Sequence, residues 1–120
     1  MNRLRGDASG YSERSHETFR WARSILVDDI AADISVAELA RAVGVSRRTL
    51  DTSFRASAGV SPARFKKLLR LNHARRLIES GDHSIATAAS LSGLHHFGRF
   101  SRDYREHFGE LPSSTLARTR

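Results

Sequence analysis

From about Ser15 onward, apolar residues recur at steps of three and four along the chain, which is the period of an amphipathic helix. The first such helix carries Phe19 and Ala22 in its apolar face, and a longer one with a broad apolar face lies over about residues 62–80. No segment alternates apolar and polar residues with the β-branched side chains typical of a strand. The pattern therefore predicts an all-α domain of seven helices joined by short loops over about residues 15–120.

Residues 1–14 lack this pattern. They include Gly6 and Gly10 among small polar residues, and no apolar period runs through them. Such a composition does not bury enough apolar surface to offset the entropy of ordering the chain. We expect this segment to be a disordered lead.

Serine, glycine and proline residues mark the ends of the next helices. Ser35 is a suitable N-cap, and a glutamate three residues later completes a capping box. Ser46 caps the following helix, Gly59 ends it and Pro62 begins the next one. Two short helices are thus predicted over about residues 35–59.

Two stretches of the chain follow one pattern, GVSRRTLDTSFRASAGVSP from Gly44 and GLHHFGRFSRDYREHFGELP from Gly93. After an insertion of one residue in the second stretch, matching residues lie 50 positions apart, namely Leu50 and Phe100, Phe54 and Tyr104, Gly59 and Gly109, and Pro62 and Pro112. A short helix precedes each turn glycine, so each copy reads as a helix, a tight turn and a second helix. We predict helix-turn-helix units over about residues 35–59 and 84–109, joined by the helix over about residues 62–80.

The second helix of each copy has one apolar side and one polar side. At about 100° per residue, the aromatic residues of the later copy fall on a single stripe that we assign to the core, namely Phe97, Phe100, Tyr104 and Phe108. The opposite sides carry arginine, threonine and small residues, namely Arg48, Thr49, Thr52 and Arg55 in the first copy and His95, Gly98, Arg99, Arg102 and Arg105 in the second. Helical hairpins with a purely structural role would not need a basic outward face in both copies.

Charge is unevenly distributed along the 120 residues. The 20 basic residues exceed the 13 acidic ones, which gives a net charge of +7. Residues 1–34 carry a net charge of −1 (five basic and six acidic), whereas residues 35–120 carry +8 (fifteen basic and seven acidic). The positive charge therefore lies in the predicted helix-turn-helix units, where a polyanion such as DNA would bind.

The chemistry of these polar faces suits a DNA groove. Arginine binds guanine through two hydrogen bonds, threonine contacts the thymine methyl group, and helix N-termini bind phosphate. We predict base contacts from Arg48, Thr52, Arg99 and Arg102. We predict contacts to the DNA backbone from Ser46, Arg47, Thr49, Arg55, His95 and Arg105.

Three segments of the sequence resemble the DNA-binding domain of the AraC/XylS family of bacterial transcription regulators, namely SVAELARAVGVSRRTL, GVSPARFKKLLRLNHARRLI and GRFSRDYREHFGELPSSTL. The resemblance covers roughly Phe19 to Ala117. It implies two homeodomain-like subdomains joined by a long central helix, with recognition helices over about residues 47–58 and 96–108. It also implies that both recognition helices enter successive major-groove segments, about 34 Å apart on one face of double-stranded DNA, in a transcription activator.

The chain departs from the family pattern at a few positions. The family often has arginine where this chain has Thr52, and usually has phenylalanine where it has Leu94 and Tyr104. The pair His95 and His96 opens the second unit and belongs to a subgroup pattern. These differences bear on which DNA sequence is read and leave the expected fold unchanged.

Members of the family commonly carry a separate ligand-sensing or dimerisation domain. About 30 residues precede the first predicted helix-turn-helix unit, which is too few for such a domain. We therefore expect no ligand-sensing domain in this chain, which is either a naturally minimal regulator or a fragment of a longer one.

Other functional classes find little support in the sequence. The chain has no cysteine and no apolar run as long as a signal-peptide core or a membrane span, which indicates a cytoplasmic protein without a membrane partner. His96 and His107 share a helical face but lie about 16 Å apart along it, so we expect no metal site. The segment DHS at residues 82–84 cannot form a triad from neighbours, and no phosphate loop is present, so we expect no catalytic residue and no cofactor.

A protein-interaction module is the alternative from a different class. Bacterial activators contact RNA polymerase as well as DNA, and the first helix carries the acidic residues Glu13, Glu17, Asp28 and Asp29. In that alternative the chain binds RNA polymerase or a full-length regulator and has little DNA specificity of its own. Salt-dependent binding with a sequence preference distinguishes DNA binding from this alternative.

Overall fold

The computed structural model describes residues 2–119, and it describes side chains for residues 13–119. The helices are α1 (Asn2–Asp28), α2 (Val36–Ala42), α3 (Arg47–Ala58), α4 (Pro62–Ser80), α5 (Ile85–Leu91), α6 (Phe97–Phe108) and α7 (Pro112–Thr119). The predicted all-α class and its seven helices are thus confirmed over the described part of the chain. Within that part, no helix has both the length and the apolar character needed to cross a bilayer.

Helix α1 begins earlier than the apolar pattern predicted. We expected a disordered lead over residues 1–14, whereas the backbone is helical from Asn2. No proline precedes Pro62, and each of Gly6 and Gly10 costs only about 1 kcal/mol in a helix interior. The prediction relied on apolar periodicity, which reports the burial of side chains rather than the hydrogen bonding of the backbone.

The helices form two compact units. The first unit holds α1, α2, α3 and the beginning of α4, and the second holds the rest of α4 with α5, α6 and α7. Residues 30–33, which connect α1 to α2 along the chain, belong to the second unit. The chain passes from the first unit to the second within α4, between Lys66 and Lys67.

Three phenylalanine rings form the centre of the first unit. Phe19 of α1, Phe54 of α3 and Phe65 of α4 meet edge to face, with centroid distances of 5.0 Å (Phe19 to Phe54), 5.4 Å (Phe19 to Phe65) and 5.3 Å (Phe54 to Phe65). Each such pair adds about 0.5–1.5 kcal/mol beyond the burial of its surface. The same unit also buries the apolar side chains of Ala22, Leu26, Leu39, Ala40, Val43 and Leu50. Phe54 is fully buried and therefore anchors α3 to the unit.

Tyr104 of α6 has the same role in the second unit. It is fully buried, and its ring packs edge to face on Phe100 with centroids 5.6 Å apart. Its hydroxyl lies 2.7 Å from that of Thr115 and donates to it, because the Thr115 hydroxyl donates in turn to Glu110, which pairs with Arg118. This chain of contacts satisfies the buried phenol, and burial raises the pKa of Tyr104.

The internal repeat extends over three helices in each unit, further than the sequence comparison had reached. Three buried positions of α1 recur in α4 at a spacing of 52, namely Phe19 and Leu71, Ala22 and Ala74, and Leu26 and Ile78. The N-caps of the following helices recur at spacings of 49 and then 50, namely Ser35 and Ser84, and Ser46 and His96. Because the spacing changes at each connection, a comparison at one fixed spacing does not find the whole repeat.

His73 of α4 contacts the turn that follows α5. Its Nδ1 atom lies 2.9 Å from the Ser92 hydroxyl, and that hydroxyl donates to the carbonyl of Ala88 at 2.7 Å. Nδ1 must therefore carry a proton and donate to Ser92. Burial lowers the pKa of His73, and the positive charge of Arg76 lowers it further, so the ring is neutral near pH 7.

Replacement of Phe54 by alanine tests the core of the first unit. We expect the free energy of unfolding to fall by about 3–5 kcal/mol, because loss of the ring leaves a cavity against Phe19 and Phe65. Chemical denaturation measures the change. The matched control is Phe97→Ala, because Phe97 is 52% exposed and its removal should change stability by less than about 1 kcal/mol. Equal losses from the two variants would contradict this core.

The lowered pKa of His73 predicts a loss of stability in acid. The unfolded chain takes up this proton as the pH falls below about 6.5, whereas the folded chain resists it. Stability contributed by neutral His73 is therefore present above about pH 6.5 and is lost as the pH falls through the lower folded pKa.

Melting temperatures at about pH 7.5 and 5.5 measure this effect in the wild type and in His73→Gln, whose amide can still donate to Ser92. We expect the wild type to lose more stability than the variant over this interval. The other histidines are common to both proteins, so parallel losses would show that His73 does not contribute.

Candidate nucleic-acid interface

A glycine in the left-handed region forms the turn of each helix-turn-helix. Gly44 follows α2 with φ of 73°, and Gly93 follows α5 with φ of 79°. In both copies the amide after the glycine donates to a carbonyl five residues earlier, Val45 to Ala40 at 3.0 Å and Leu94 to Ala89 at 2.9 Å. The two turns are therefore the same structure, and a residue with a Cβ would be strained at either glycine.

The second turn has a further constraint that the first lacks. A Cβ on Gly93 would lie 2.9 Å from Cζ of Arg70 and 3.0 Å from Cα of Ala31. The Arg70 guanidinium fills this space and donates to the carbonyls of Ile30, Ala32 and Gly93 at 2.9, 2.7 and 3.2 Å. Burial lowers the pKa of Arg70, but an arginine keeps its charge at any ordinary pH. The second turn thus packs against the Arg70 guanidinium, which these three hydrogen bonds hold in place.

Each recognition helix begins at a side-chain cap. The Ser46 hydroxyl accepts from the amide of Thr49 at 3.1 Å and donates to its hydroxyl at 3.0 Å. At the equivalent place His96 accepts from the amide of Arg99 through Nδ1 at 3.1 Å, so Nδ1 is unprotonated. Sequence reasoning missed this cap because histidine is rarely one, although the repeat at a spacing of 50 from Ser46 pointed to it.

All ten side chains predicted to contact DNA are exposed. On the first unit they lie on α3 or at its cap, namely Ser46, Arg47, Arg48, Thr49, Thr52 and Arg55. On the second unit they lie on α6 or in the turn before it, namely His95, Arg99, Arg102 and Arg105. The structure therefore brings each set together on one recognition element, and their contacts with DNA stay predictions.

Internal contacts restrict some of these side chains and leave others available. The guanidinium of Arg55 pairs with Asp51 at 2.8 Å, and the Thr52 hydroxyl donates to the carbonyl of Arg48 at 3.0 Å. Among the side chains of residues 13–119, no carboxylate forms an ion pair with Arg47, Arg48, Arg99, Arg102 or Arg105. These five unpaired cations give the outer sides of α3 and α6 a positive potential.

One prediction for the later copy is wrong. Phe97 was assigned to the core with the aromatic stripe, but it is 52% exposed, whereas Phe100 and Tyr104 are buried. Phe97 is the first residue of α6, and the centroid of its ring lies 6.2 Å from that of Phe100. Its counterpart in the first unit is the exposed Arg47. The helical projection places Phe97 on the same side of α6 as Phe100 and Tyr104. It does not show that the first residue of the helix is exposed.

The described residues include no group of three or more histidine, aspartate or glutamate side chains placed to hold a metal ion. His96 is engaged as a cap, and His107 packs on the ring of Phe108 at 4.7 Å.

Residues 39–118 match the model of a helix-turn-helix domain family. A transcription regulator from Chromobacterium violaceum, described as containing an AraC-type DNA-binding domain, superposes with a TM-score of 0.82 and 32% identity, over 89% of this chain and 96% of that structure. A probable AraC family regulator from Rhodopseudomonas palustris superposes with a TM-score of 0.78 and 35% identity, over 87% of this chain and 98% of that structure. This chain belongs to the AraC family of DNA-binding domains.

Similar curated proteins are also transcription regulators. The probable thc operon regulatory protein of Rhodococcus erythropolis is 37% identical over 86 residues, which cover 69% of this AraC-type chain. The XylDLEGF operon transcriptional activator 3 of Pseudomonas putida is 31% identical over 104 residues, which cover 84% of it. The matched residues span 26% and 31% of those two proteins, so this chain corresponds to between a quarter and a third of their length.

Alanine replacements of Arg48 and Arg99 test the predicted base contacts. Each should weaken binding to a preferred duplex by about 1–3 kcal/mol and relax the preference at one base pair. Competition binding with a panel of single-base variants measures both effects. Arg55→Ala is the matched control, since we assign this residue to the DNA backbone and expect uniform weakening. If Arg48→Ala or Arg99→Ala weakens all duplexes equally, that residue contacts phosphate instead.

Proposed function

We propose that this AraC-type domain binds double-stranded DNA in a sequence-specific manner as the DNA-binding part of a bacterial transcription regulator. Helices α3 and α6 act as its two recognition helices and enter successive major-groove segments. A single chain then reads a bipartite site without a two-fold axis, because the two helices carry different side chains.

The observation that carries this proposal is the repeat of one helix-turn-helix with a cationic outer side in both copies. The glycine turns have matching hydrogen bonds, and the recognition helices begin at equivalent caps. Five of the arginines on their outer sides lack carboxylate partners among residues 13–119, namely Arg47, Arg48, Arg99, Arg102 and Arg105. A purely structural pair of hairpins would gain nothing from these unpaired charges, which repel one another.

Base reading and backbone contact divide between the side chains of each face. Arg48 and Thr52 on α3, and Arg99 and Arg102 on α6, face the base edges. The side chains that contact phosphates lie at the start of a recognition helix or beside its base-reading residues, namely Ser46, Arg47, Thr49, Arg55, His95 and Arg105. The phosphate contacts set the register of the protein on the duplex, and the base contacts set its specificity.

Activation of transcription in the bacterial cytoplasm is the outcome we favour. One similar protein is named a transcriptional activator, and α1 carries an outer surface that a second protein could contact. Trp21 on that helix is 56% exposed and Val27 is 42% exposed. RNA polymerase is the partner we assign to this surface, and we assign the domain no catalytic role.

The exposed surface of α1 also supports the alternative that the chain is a protein-interaction module. An exposed tryptophan on α1, near the acidic residues Glu17 and Asp28, is a typical anchor for a protein partner. In this alternative DNA is bound weakly and without a preferred sequence.

Selection of bound duplexes from a random DNA library, at about 150 mM salt, tests the proposed function. We expect enrichment of two half-sites whose centres lie about 10 bp apart, one helical turn. Enrichment of a single half-site would mean that only one helix reads bases. Failure to enrich any sequence would overturn the proposal and favour the interaction module.

A further inference from the structure

Helix α4, the second turn and α6 enclose a cleft of about 220 Å³ in the second unit. Its lining includes Lys67, Arg70, His95, Arg99 and Asp103, and we name it the α4–α6 cleft. A water molecule occupies about 30 Å³ in the liquid, so the cleft has room for a phosphate group. Arg99, one of the predicted base contacts, lies at its edge.

An ion pair joins the two helices inside this cleft. The ammonium group of Lys67 on α4 lies 2.6 Å from a carboxylate oxygen of Asp103 on α6. The Lys67 side chain is 35% exposed and the Asp103 side chain 15% exposed. Both members of the ion pair line the cleft, and the lysine is the more exposed of the two.

The first unit shows that the fold does not need this ion pair. Ser15 of α1 and Ser53 of α3 occupy the equivalent positions, at the spacings of 52 and 50 found for these helices, and their hydroxyls bond to each other at 3.3 Å. Both serines are buried. A neutral pair thus joins the same two helices in one copy, so packing alone does not account for the charges in the other.

The two copies of the cleft also differ in charge. The equivalent cleft in the first unit is lined by hydroxyl groups and one apolar side chain, and Arg14 is its only charged residue among those the structure describes. The α4–α6 cleft has three permanent cations, Lys67, Arg70 and Arg99, and a single carboxylate. Its net charge of about +2 attracts an anion.

Arg70 does not serve as the main ligand. Its guanidinium already donates to three backbone carbonyls, so it contributes positive potential rather than a new contact. Lys67 has one carboxylate partner and three N–H donors, so it can bind a second anion without leaving Asp103.

We propose that the α4–α6 cleft binds one phosphodiester group of the DNA backbone, with Lys67 as its ligand. The proposal rests on the proposed DNA-binding function and adds a backbone contact that the recognition helix itself does not supply. Since Arg99 borders the cleft, the phosphate belongs to the strand segment beside the base step that α6 reads.

The chain's own repeat supplies the test variant. The double substitution Lys67→Ser with Asp103→Ser installs the serine pair of the first unit and leaves the net charge unchanged. We expect affinity to fall on the order of tenfold for preferred and scrambled duplexes alike, because a charge-assisted phosphate contact is lost. The slope of log affinity against log salt should become shallower by about 0.9.

The single substitution Asp103→Ser should act in the opposite direction. It removes the carboxylate from the cleft, so affinity for all duplexes should rise. Asp82→Ser, in the exposed connection between α4 and α5, adds the same charge to the second unit outside the cleft and is the matched control. If the affinity for DNA rises no more in Asp103→Ser than in Asp82→Ser, the cleft does not face the DNA backbone.

A duplex with single methylphosphonate linkages locates the phosphate. We expect the wild type to lose affinity at several neutral linkages, and the double variant to become insensitive at one of them while it remains sensitive at the others. Circular dichroism and thermal melting check that the double variant folds. A folded double variant with an unchanged salt slope and an unchanged linkage profile would overturn the proposal.

Two further outcomes separate free phosphate from the DNA backbone, and the phosphate contact in the cleft from DNA binding by the domain as a whole. If inorganic phosphate at matched ionic strength stabilises the wild type but not the double variant, while DNA binding is equal in both, the cleft is a free-anion site and the proposal is wrong. If the wild type itself selects no DNA sequence and shows no salt-dependent binding, the proposed function has failed, which is a different result from an unchanged variant.

Discussion

Each recognition helix depends on one aromatic side chain that is completely buried. Phe54 fixes α3 against two other rings, and Tyr104 fixes α6 against Phe100 and, through its hydroxyl, against Thr115. A helix held by its inner side at one rotation presents a defined outer side. The backbone positions that carry the outer arginines are therefore fixed relative to the core of each unit.

Much of this fold was predictable because its signals are local. A capping serine, a left-handed glycine and a proline at a helix start act within a few residues, so the predicted ends of α2 to α6 match the structure closely.

The errors lie where the outcome depends on tertiary packing. Phe97 has the periodicity of a core residue but precedes the part of α6 that packs, and His96 caps a helix in the place where the first copy has Ser46. The Lys67 and Asp103 pair lies 36 positions apart in sequence, and no periodicity connects two such residues.

The repeated sequence pattern accounts for the shared fold of the two units, and their side chains show where the two units differ. Gly93 is closed in by Arg70, whereas Gly44 has open space around the site of a Cβ. The first unit joins its first and third helices through serines, and the second does so through an ion pair beside further cations. The cleft beside the recognition helix is thus more cationic in the second unit than in the first. Both copies keep the buried aromatic anchor, so the two units differ in the side chains that line their clefts rather than in their fold.

In the proposed complex, both recognition helices of one chain read bases on the same face of the duplex. The affinity of the chain for its selected duplex, measured after insertion of base pairs between the half-sites, tests this arrangement. We expect an insertion of about 5 bp, half a helical turn, to lower the affinity to that of a single half-site, because one helix then faces away from its groove. An affinity unchanged by that insertion would contradict this arrangement, since it would mean that one unit alone reads the DNA.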